Sequence, residues 1–249
     1  MQKIRIISYL SPSIPAGLYH LIGDRIRESC GVDTSVIFEE RISGPLMGDP
    51  DPFSAGTADV GFLCAPSFRY LMRNVDLLPV PVPLDPRSAG LPVYFSDVIV
   101  PAQSNATSLA DLRNTTWAYN DRNSKSGWFA LLERIAPVAP DAFFSALIAA
   151  GSHLKAIEYV SMGLAGAAAI DSNALRLQLE EHPELASRLR VLESWGPFAI
   201  QPSVIRSSID DGLKQRIASA LLTLHNVRGR ELSSFGFQRF VESDRAAYM

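Results

Sequence analysis

Cysteine is scarce in this chain: Cys30 and Cys64 are the only two in 249 residues. Two thiols do not make a disulfide framework, and Cys64, closing an apolar run, reads as a small buried hydrophobe. No apolar run approaches the roughly 20 residues that a membrane-crossing helix needs, so no membrane span is expected. No block of like charge stands out either. With a net charge of −3 and a pI near 5.8, nucleic acid and anionic membrane are not the expected partners. The N-terminus enters a strand-like pattern at once, Met-Gln-Lys-Ile-Arg-Ile-Ile-Ser, with no signal-peptide core. The protein is then periplasmic if an export signal has been removed, and cytoplasmic otherwise. What remains, 47% hydrophobic and 20% charged, is the composition of a globular chain with core enough for one or two domains.

Several catalytic signatures are missing. There is no Gly-x-Ser-x-Gly elbow, no Gly-Lys dipeptide and so no P-loop, and no Gly-x-Gly-x-x-Gly. Ser152-His-Leu-Lys155 fits Ser-x-x-Lys, and Lys125-Ser-Gly127 resembles Lys-Thr-Gly. Their order is the reverse of that in penicillin-binding enzymes, and Lys125-Ser-Gly127 opens a helix rather than lying on a strand. The four histidines, His20, His153, His182 and His225, have no metal-ligand spacing. No cofactor, no metal and no hydrolytic turnover are expected.

What is present is an alternation of strands and helices, made twice. Lys3–Tyr9, Thr34–Glu39, Asp59–Cys64 and Leu77–Val82 read as strands, with helices from Pro15 to Gly31 and from Pro66 to about Asn74. The second run has strands at Val93–Pro101, Thr116–Tyr119, Gly166–Ile170 and Arg190–Glu193. Its helices are read at 126–135, 141–150, 154–162 and 172–181, and Ser108-Leu-Ala-Asp111 reads as a capping box. Ser194–Ile200 is an extended crossing. The tail beyond 200 is read as helical after its strand, at 209–224 and from Gly229. The expected fold class is α/β, with a mainly parallel sheet in the first run. It has two lobes, 1–93 with 199–249 and 97–194, hinged by crossings near 93–97 and 194–199. Ligands of open α/β sheets sit at the carboxyl ends of strands, where helices begin.

Residues 119–128, Tyr-Asn-Asp-Arg-Asn-Ser-Lys-Ser-Gly-Trp, are such a junction. Ser124 is a good N-cap, its hydroxyl accepting from the first turn. The N–H groups near Ser126, Gly127 and Trp128 are expected to point out of the helix start with the positive end of its dipole, a site for an anion. The hydroxyls of Ser124 and Ser126 and the ammonium of Lys125 add donors. His153 and Asp171 fall at similar junctions of the same lobe. Taken singly, Ser152 and Asp171 are caps and His153 is a surface residue. Together with the Ser124–Gly127 turn they outline one oxyanion site.

In order and spacing, these stretches resemble the phosphate/phosphonate-type solute-binding proteins of bacterial ABC importers, over about 56–245. The matches are Gly56-Thr-Ala-Asp59-Val-Gly-Phe with Phe68, Ser108-Leu-Ala-Asp-Leu112, Asn123-Ser-Lys-Ser-Gly127 and Gly151-Ser-His153. The Ala-rich strand ending Asp171-Ser172, Ser194–Pro197 and Gly236-Phe-Gln-Arg-Phe240 complete them. The resemblance implies a two-lobed periplasmic-binding-protein-like fold of type II, no catalysis, a small anionic ligand and an ABC permease as partner. It implies ligand contacts from Ser124, Lys125, Ser126, Gly127, His153 and Asp171, with Tyr9, Phe53 and Phe68 on the first lobe. The chain departs from the family pattern at Lys125, where Thr is usual, at Leu154, where Asp is frequent, and at Phe53 and Phe68, where phosphonate binders often carry Tyr. The alternatives are an enzyme on the same fold, like chorismate dehydratase or the pyrimidine-precursor synthases, and a ligand-sensing domain.

Overall fold

The computed structural model describes residues 2–40 and 42–249. The chain runs β1 (Lys3–Ser8), α1 (Ala16–Cys30), β2 (Asp33–Phe38), β3 (Val60–Phe62), α2 (Ala65–Leu71), β4 (Val75–Leu77), β5 (Val80–Pro83) and β6 (Val93–Pro101). There follow β7 (Thr116–Tyr119), α3 (Ala130–Ile135), α4 (Pro140–Phe143), β8 (Ala146–Ala149), α5 (His153–Ser161), β9 (Ala167–Asp171), α6 (Ser172–Glu181) and β10 (Leu189–Ala199). The chain closes with β11 (Ser203–Arg206), α7 (Asp211–Leu222), α8 (Leu224–Ser234) and β12 (Phe237–Val241). It divides into two compact units. The first comprises the residues up to Val93 together with Ala199–Met249, and the second is Tyr94–Phe198.

The first unit is built on a five-stranded sheet in the order β2-β1-β3-β11-β4, with β12 pairing β5 in a separate ribbon. β1 runs parallel to β2 and β3, while β11 runs antiparallel to both β3 and β4. Asp59 ties three of these strands together. Its carboxylate accepts from the Arg5 backbone N–H at 2.9 Å, from Arg5 Nε at 2.8 Å and Nη2 at 3.0 Å, and from Arg206 Nη2 at 2.8 Å. α1 ends as its sequence requires: Gly31 takes φ +66° and returns its N–H to the Arg27 carbonyl.

The second unit has the sheet order β10-β6-β9-β7-β8. Alternation along its strands covers both faces. Val98, Val100, Trp117, Ala167 and Ala169 join one cluster with Trp195, Phe143 and Phe144, while Ile99, Ala118, Ala168 and Ile170 join Ile157, Val160 and Leu175 in the other. The indoles of Trp117 and Trp195 lie stacked, 12° from parallel, with centroids 6.4 Å apart. The alanines of β9 leave room for bulky neighbours on both sides.

Four expectations fail. The stretch 141–150 is not one helix. α4 stops at Phe143 and Ala146–Ala149 pairs parallel with β7. A four-residue apolar run fits a buried helix or a strand equally, and here the open edge of β7 takes it. Leu77–Val82 is two strands, β4 and β5, because Leu78-Pro79 turns the chain between sheets. The tail is not all helical: Phe237–Val241 is β12, antiparallel to β5. The first unit's sheet is mixed rather than mainly parallel, since β11 reverses direction, and in the second unit β9 runs antiparallel to β6. β10 also continues through the expected crossing as far as Ala199.

Candidate functional site

The turn after β7 is the polar centre of the second unit. Ser124 caps it as expected, its Oγ accepting from the Gly127 N–H at 3.0 Å. The first helical turn, Lys125–Phe129, is wound wide. The Phe129 N–H reaches back five residues to the Ser124 carbonyl at 3.0 Å, and the Trp128 N–H shares that carbonyl at 3.2 Å. Wide turns of this kind recur at functional positions in helices. They also correct one expectation: the Gly127 and Trp128 N–H groups are engaged by Ser124 and do not point outward. The short, wide turn folds three donors back onto one residue.

Ser126 is buried, and its Oγ lies 3.2 Å from His153 Nε2. Twenty-seven residues of chain separate the two. β7 delivers the first at its carboxyl end. The second opens α5, whose own cap is Ser152, accepting from the Lys155 N–H at 3.1 Å. His153 is thus no surface residue. Burial pushes its pKa down to about 4, so at neutral pH the imidazole is uncharged. Its Nε2 either donates to the Ser126 hydroxyl or accepts from it, according to tautomer.

Asp171 ends β9 directly opposite Ser96 of β6. Residues so paired share a face, with Cβ atoms about 5 Å apart. Ser96 Oγ donates to the Ser126 carbonyl at 2.8 Å, so the Ser126 turn is pinned beside the end of β9. The Asp171 carboxylate is buried and accepts from the Asn173 N–H at 2.8 Å and the Ala174 N–H at 3.2 Å. It is the cap of α6, as the plainer reading had it, and it ends the strand paired with Ser96, whose hydroxyl bonds the Ser126 carbonyl.

Gly127 is required by closeness. A Cβ there would meet Asn120 Oδ1 at 1.9 Å and His153 Cε1 at 3.3 Å. Asn120, buried at the end of β7, donates from Nδ2 to Asp121 Oδ2 at 3.0 Å. Neither Asn120 nor Ser96 was singled out from sequence. The available signal was a small polar residue at a strand end, or inside the apolar β6 run. Lys125 sends its Nζ to Glu133 Oε1, 2.5 Å away, and over the Phe198 ring, 4.6 Å from its centroid. In the first unit, Tyr9, Phe53 and Phe68 share one core cluster, with Phe53 and Phe68 essentially without exposure. Phe53 lies under Gly61, and Phe68 meets Tyr248 edge-on at 5.4 Å. Burial, joined by the charges of Glu39, Asp51 and Asp49, pushes the Tyr9 hydroxyl up to about 12.

A serine touching a histidine invites a catalytic reading. A general base works best with a pKa near the operating pH, and His153 is far below it. Among the described residues, no cluster of His, Cys, Asp or Glu fit for a metal is formed, and no helix is long and apolar enough to cross a membrane.

Comparison with solved structures assigns the architecture to the two-lobed α/β binding proteins. A binding-protein component of an ABC phosphonate transporter from Pseudomonas aeruginosa superposes with a TM-score of 0.81 at 17% identity, over 99% of this chain and 83% of that one. PhnD1 from Prochlorococcus marinus, solved in complex with methylphosphonate, gives 0.78 at 16% identity, over 99% and 94%. A Xanthomonas citri protein bound to ATP gives 0.69 at 18% identity, over 99% and 93%. No curated protein matches the sequence. The family described as "ABC transporter, phosphonate, periplasmic substrate-binding protein" matches residues 6–248, and this chain belongs to it. It is therefore a solute-binding protein of the ABC-transport type, not an enzyme.

Proposed function

We propose that this protein binds a small oxyanion of the phosphate or phosphonate class and presents it to an ABC permease from the periplasm. The anion head is received at Ser124–Gly127, by the Ser126 hydroxyl and the neutral His153 imidazole, with the Asp171 carboxylate beside them. One observation carries this reading: Ser126 and His153, distant in sequence, meet at 3.2 Å inside the second unit. The wide helical turn and the Ser96 bond to Ser126 support it. Uncharged donors suit a ligand that must bind and leave. Asp171 accepts a proton from a protonated oxyanion or from a ligand amine. The division of the chain at 93/94 and 198/199 supports closure on the ligand by hinge motion of lobes 1–93 with 199–249 and 97–194. Of the first-lobe candidates, Tyr9 keeps a polar tip, whereas Phe53 and Phe68 serve packing.

Calorimetric titration with methylphosphonate and with inorganic phosphate tests the assignment. Ser126→Ala is expected to weaken binding ten- to a hundredfold, the size of one or two hydrogen bonds to a charged group. It costs about 1 kcal/mol of stability through the lost His153 contact. Unchanged affinity in Ser126→Ala, for a probe that the wild type binds, removes this site from consideration.

A further inference from the structure

We propose that the groove between α1 and α7, in the first unit, binds a small soluble anion carrying two phosphate groups. None of its residues belongs to the Ser124–Gly127 turn, so this is a second site and does not rest on the first. The groove has a volume of about 490 Å³ and is lined by Arg25 and Ser29 from α1 and by Gln215, Arg216, Ser219 and Thr223 from α7 and its end. No carboxylate is among the lining residues. Two guanidinium groups therefore line a cavity whose other polar side chains are hydroxyls and one amide. The acids of the two helices are engaged elsewhere. Asp24 pairs with Arg27, Glu28 with Arg228 and Asp211 with Lys214, while Asp210 caps α7 through the Leu213 N–H. Among the described residues, neither Arg25 nor Arg216 has a carboxylate partner.

Arg25 is fixed in place. Its Nε donates to the Ala220 carbonyl at 3.3 Å and its Nη2 to Thr223 Oγ1 at 3.0 Å, which holds the guanidinium against the last turn of α7. Arg216 lies four residues before Ala220, one turn back on the same face of that helix. Both charges reach a common point: burial pushes the Cys30 thiol up, and Arg216 and Arg25 each pull it back. Gly212, a further turn back, leaves the approach to Arg216 open, since a Cβ there would stand 3.7 Å from Nη1. Like charges held together repel, and a shared anion removes that repulsion. Guanidinium groups receive phosphate oxygens in bidentate pairs, and hydroxyls add donors. Two such forks match an anion with two phosphate heads, and the cavity falls within the roughly 300–1,000 Å³ of small-molecule sites. Arg216, Ser29, Gln215, Ser219 and Thr223 are exposed, so the binding is salt-dependent.

The test titrates the whole protein with inorganic pyrophosphate at low salt and follows the rate of Cys30 alkylation by iodoacetamide as a local reporter. Cys64 is buried and stays silent. A bound anion covers the groove and neutralises the guanidinium groups that favour the thiolate, so alkylation should slow about threefold. Arg216→Gln should weaken the protecting affinity about tenfold, the size of one hydrogen bond to a charged group. Arg27→Gln removes the same charge from an exposed pair outside the groove and should change it less than twofold. Ser219→Glu, which puts a carboxylate into the groove, should abolish the binding in calorimetry. Inorganic phosphate should protect at least tenfold more weakly than pyrophosphate. Thermal melts confirm that these variants of exposed residues fold. Protection should persist in Ser126→Ala, because the turn of the second unit takes no part. No protection of the folded wild type by millimolar pyrophosphate overturns the proposal. Equal weakening in Arg27→Gln and Arg216→Gln overturns it as well, since the anion would then be reading diffuse charge. Protection that Ser126→Ala removes places the anion at the other site and overturns it, and phosphate binding as tightly as pyrophosphate overturns the two-headed ligand.

Discussion

Adding one methyl group at Gly127 is the sharpest perturbation of the site. The Cβ of Gly127→Ala would sit 1.9 Å from Asn120 Oδ1 and 3.0 Å from Asn120 Cγ. Real carbon–oxygen contacts are well over 3 Å, so Asn120 must move by more than 1 Å. It cannot swing into solvent, being 5% exposed and bonded to Asp121 Oδ2. Overpacking of this kind costs about 1–3 kcal/mol. Displacing a buried amide from its partners adds about 1–3 kcal/mol, and the better helical preference of alanine returns about 0.5–1 kcal/mol. The net expectation is a loss of about 2–4 kcal/mol, read as a drop in Tm of roughly 5–12 °C for a chain of this size. His153 is also pressed, at 3.3 Å, so phosphate or methylphosphonate affinity should fall at least tenfold. Gly229 in α8 is the matched control: its Cβ would meet nothing within 4 Å, and Gly229→Ala should gain about 0.5–1 kcal/mol. Urea unfolding and calorimetric titration read both. A Gly127→Ala protein as stable as wild type, with unchanged anion affinity, would show that Asn120 is not held and that the close approach does not shape the site.

Asp59→Asn should lose about 2 kcal/mol in urea unfolding, since two partly exposed guanidinium groups are left facing a neutral amide. Burial tends to raise the Asp59 pKa, but the hydrogen bonds from Arg5 and the charges of Arg5 and Arg206 outweigh it and hold the carboxyl below its usual 3.8. Its stabilisation is therefore complete above the unfolded-state pKa and lost as pH falls through the lower folded one, so Asp59→Asn should flatten acid unfolding below pH 4. A variant with the wild-type acid limb would exclude that role. His153 shows the opposite group type with the same slope. Its folded pKa is near 4 against 6.5 when unfolded, so stability should fall as pH drops from 6.5 to 4, and His153→Gln should remove that part of the slope. Proton NMR of the imidazole giving a midpoint above 6 would contradict the burial argument.

Much of this was legible where local chemistry is decisive. Val93–Pro101 and Thr116–Tyr119 are strands at their expected bounds, the Ser108 capping box forms with Asp111, and Ser124 caps its turn. Short-range hydrogen bonding fixes these features, and it is written in a few adjacent residues. The errors lie where partners are remote. Ala146–Ala149 is a strand only because β7 offers an edge, and Phe237–Val241 only because β5 does. The site divides in the same way. Ser126, His153 and Asp171 were visible as polar residues at junctions, but Asn120 and Ser96 matter through Gly127 and the Ser126 carbonyl, contacts that no spacing announces. The Asp59 motif was visible as a pattern, without its two arginine partners.

The position of β11 bears on how the chain comes off the ribosome. The second unit is one uninterrupted segment, Tyr94–Phe198, and all its strand partners are synthesised together. The first unit is begun first and finished last. Its sheet has an unfilled slot between β3 and β4 until Ser203–Arg206 arrives, and β5 has no mate until Phe237. Asp59 likewise holds one arginine from the start and waits some 147 positions for the other. Nascent chains therefore carry an exposed pair of strand edges through most of elongation, while the later-made unit is already able to close its core. Such edges attract chaperones or other strands. A truncation before residue 200 would keep the Ser124–Gly127 turn and His153 but leave the first unit's sheet open.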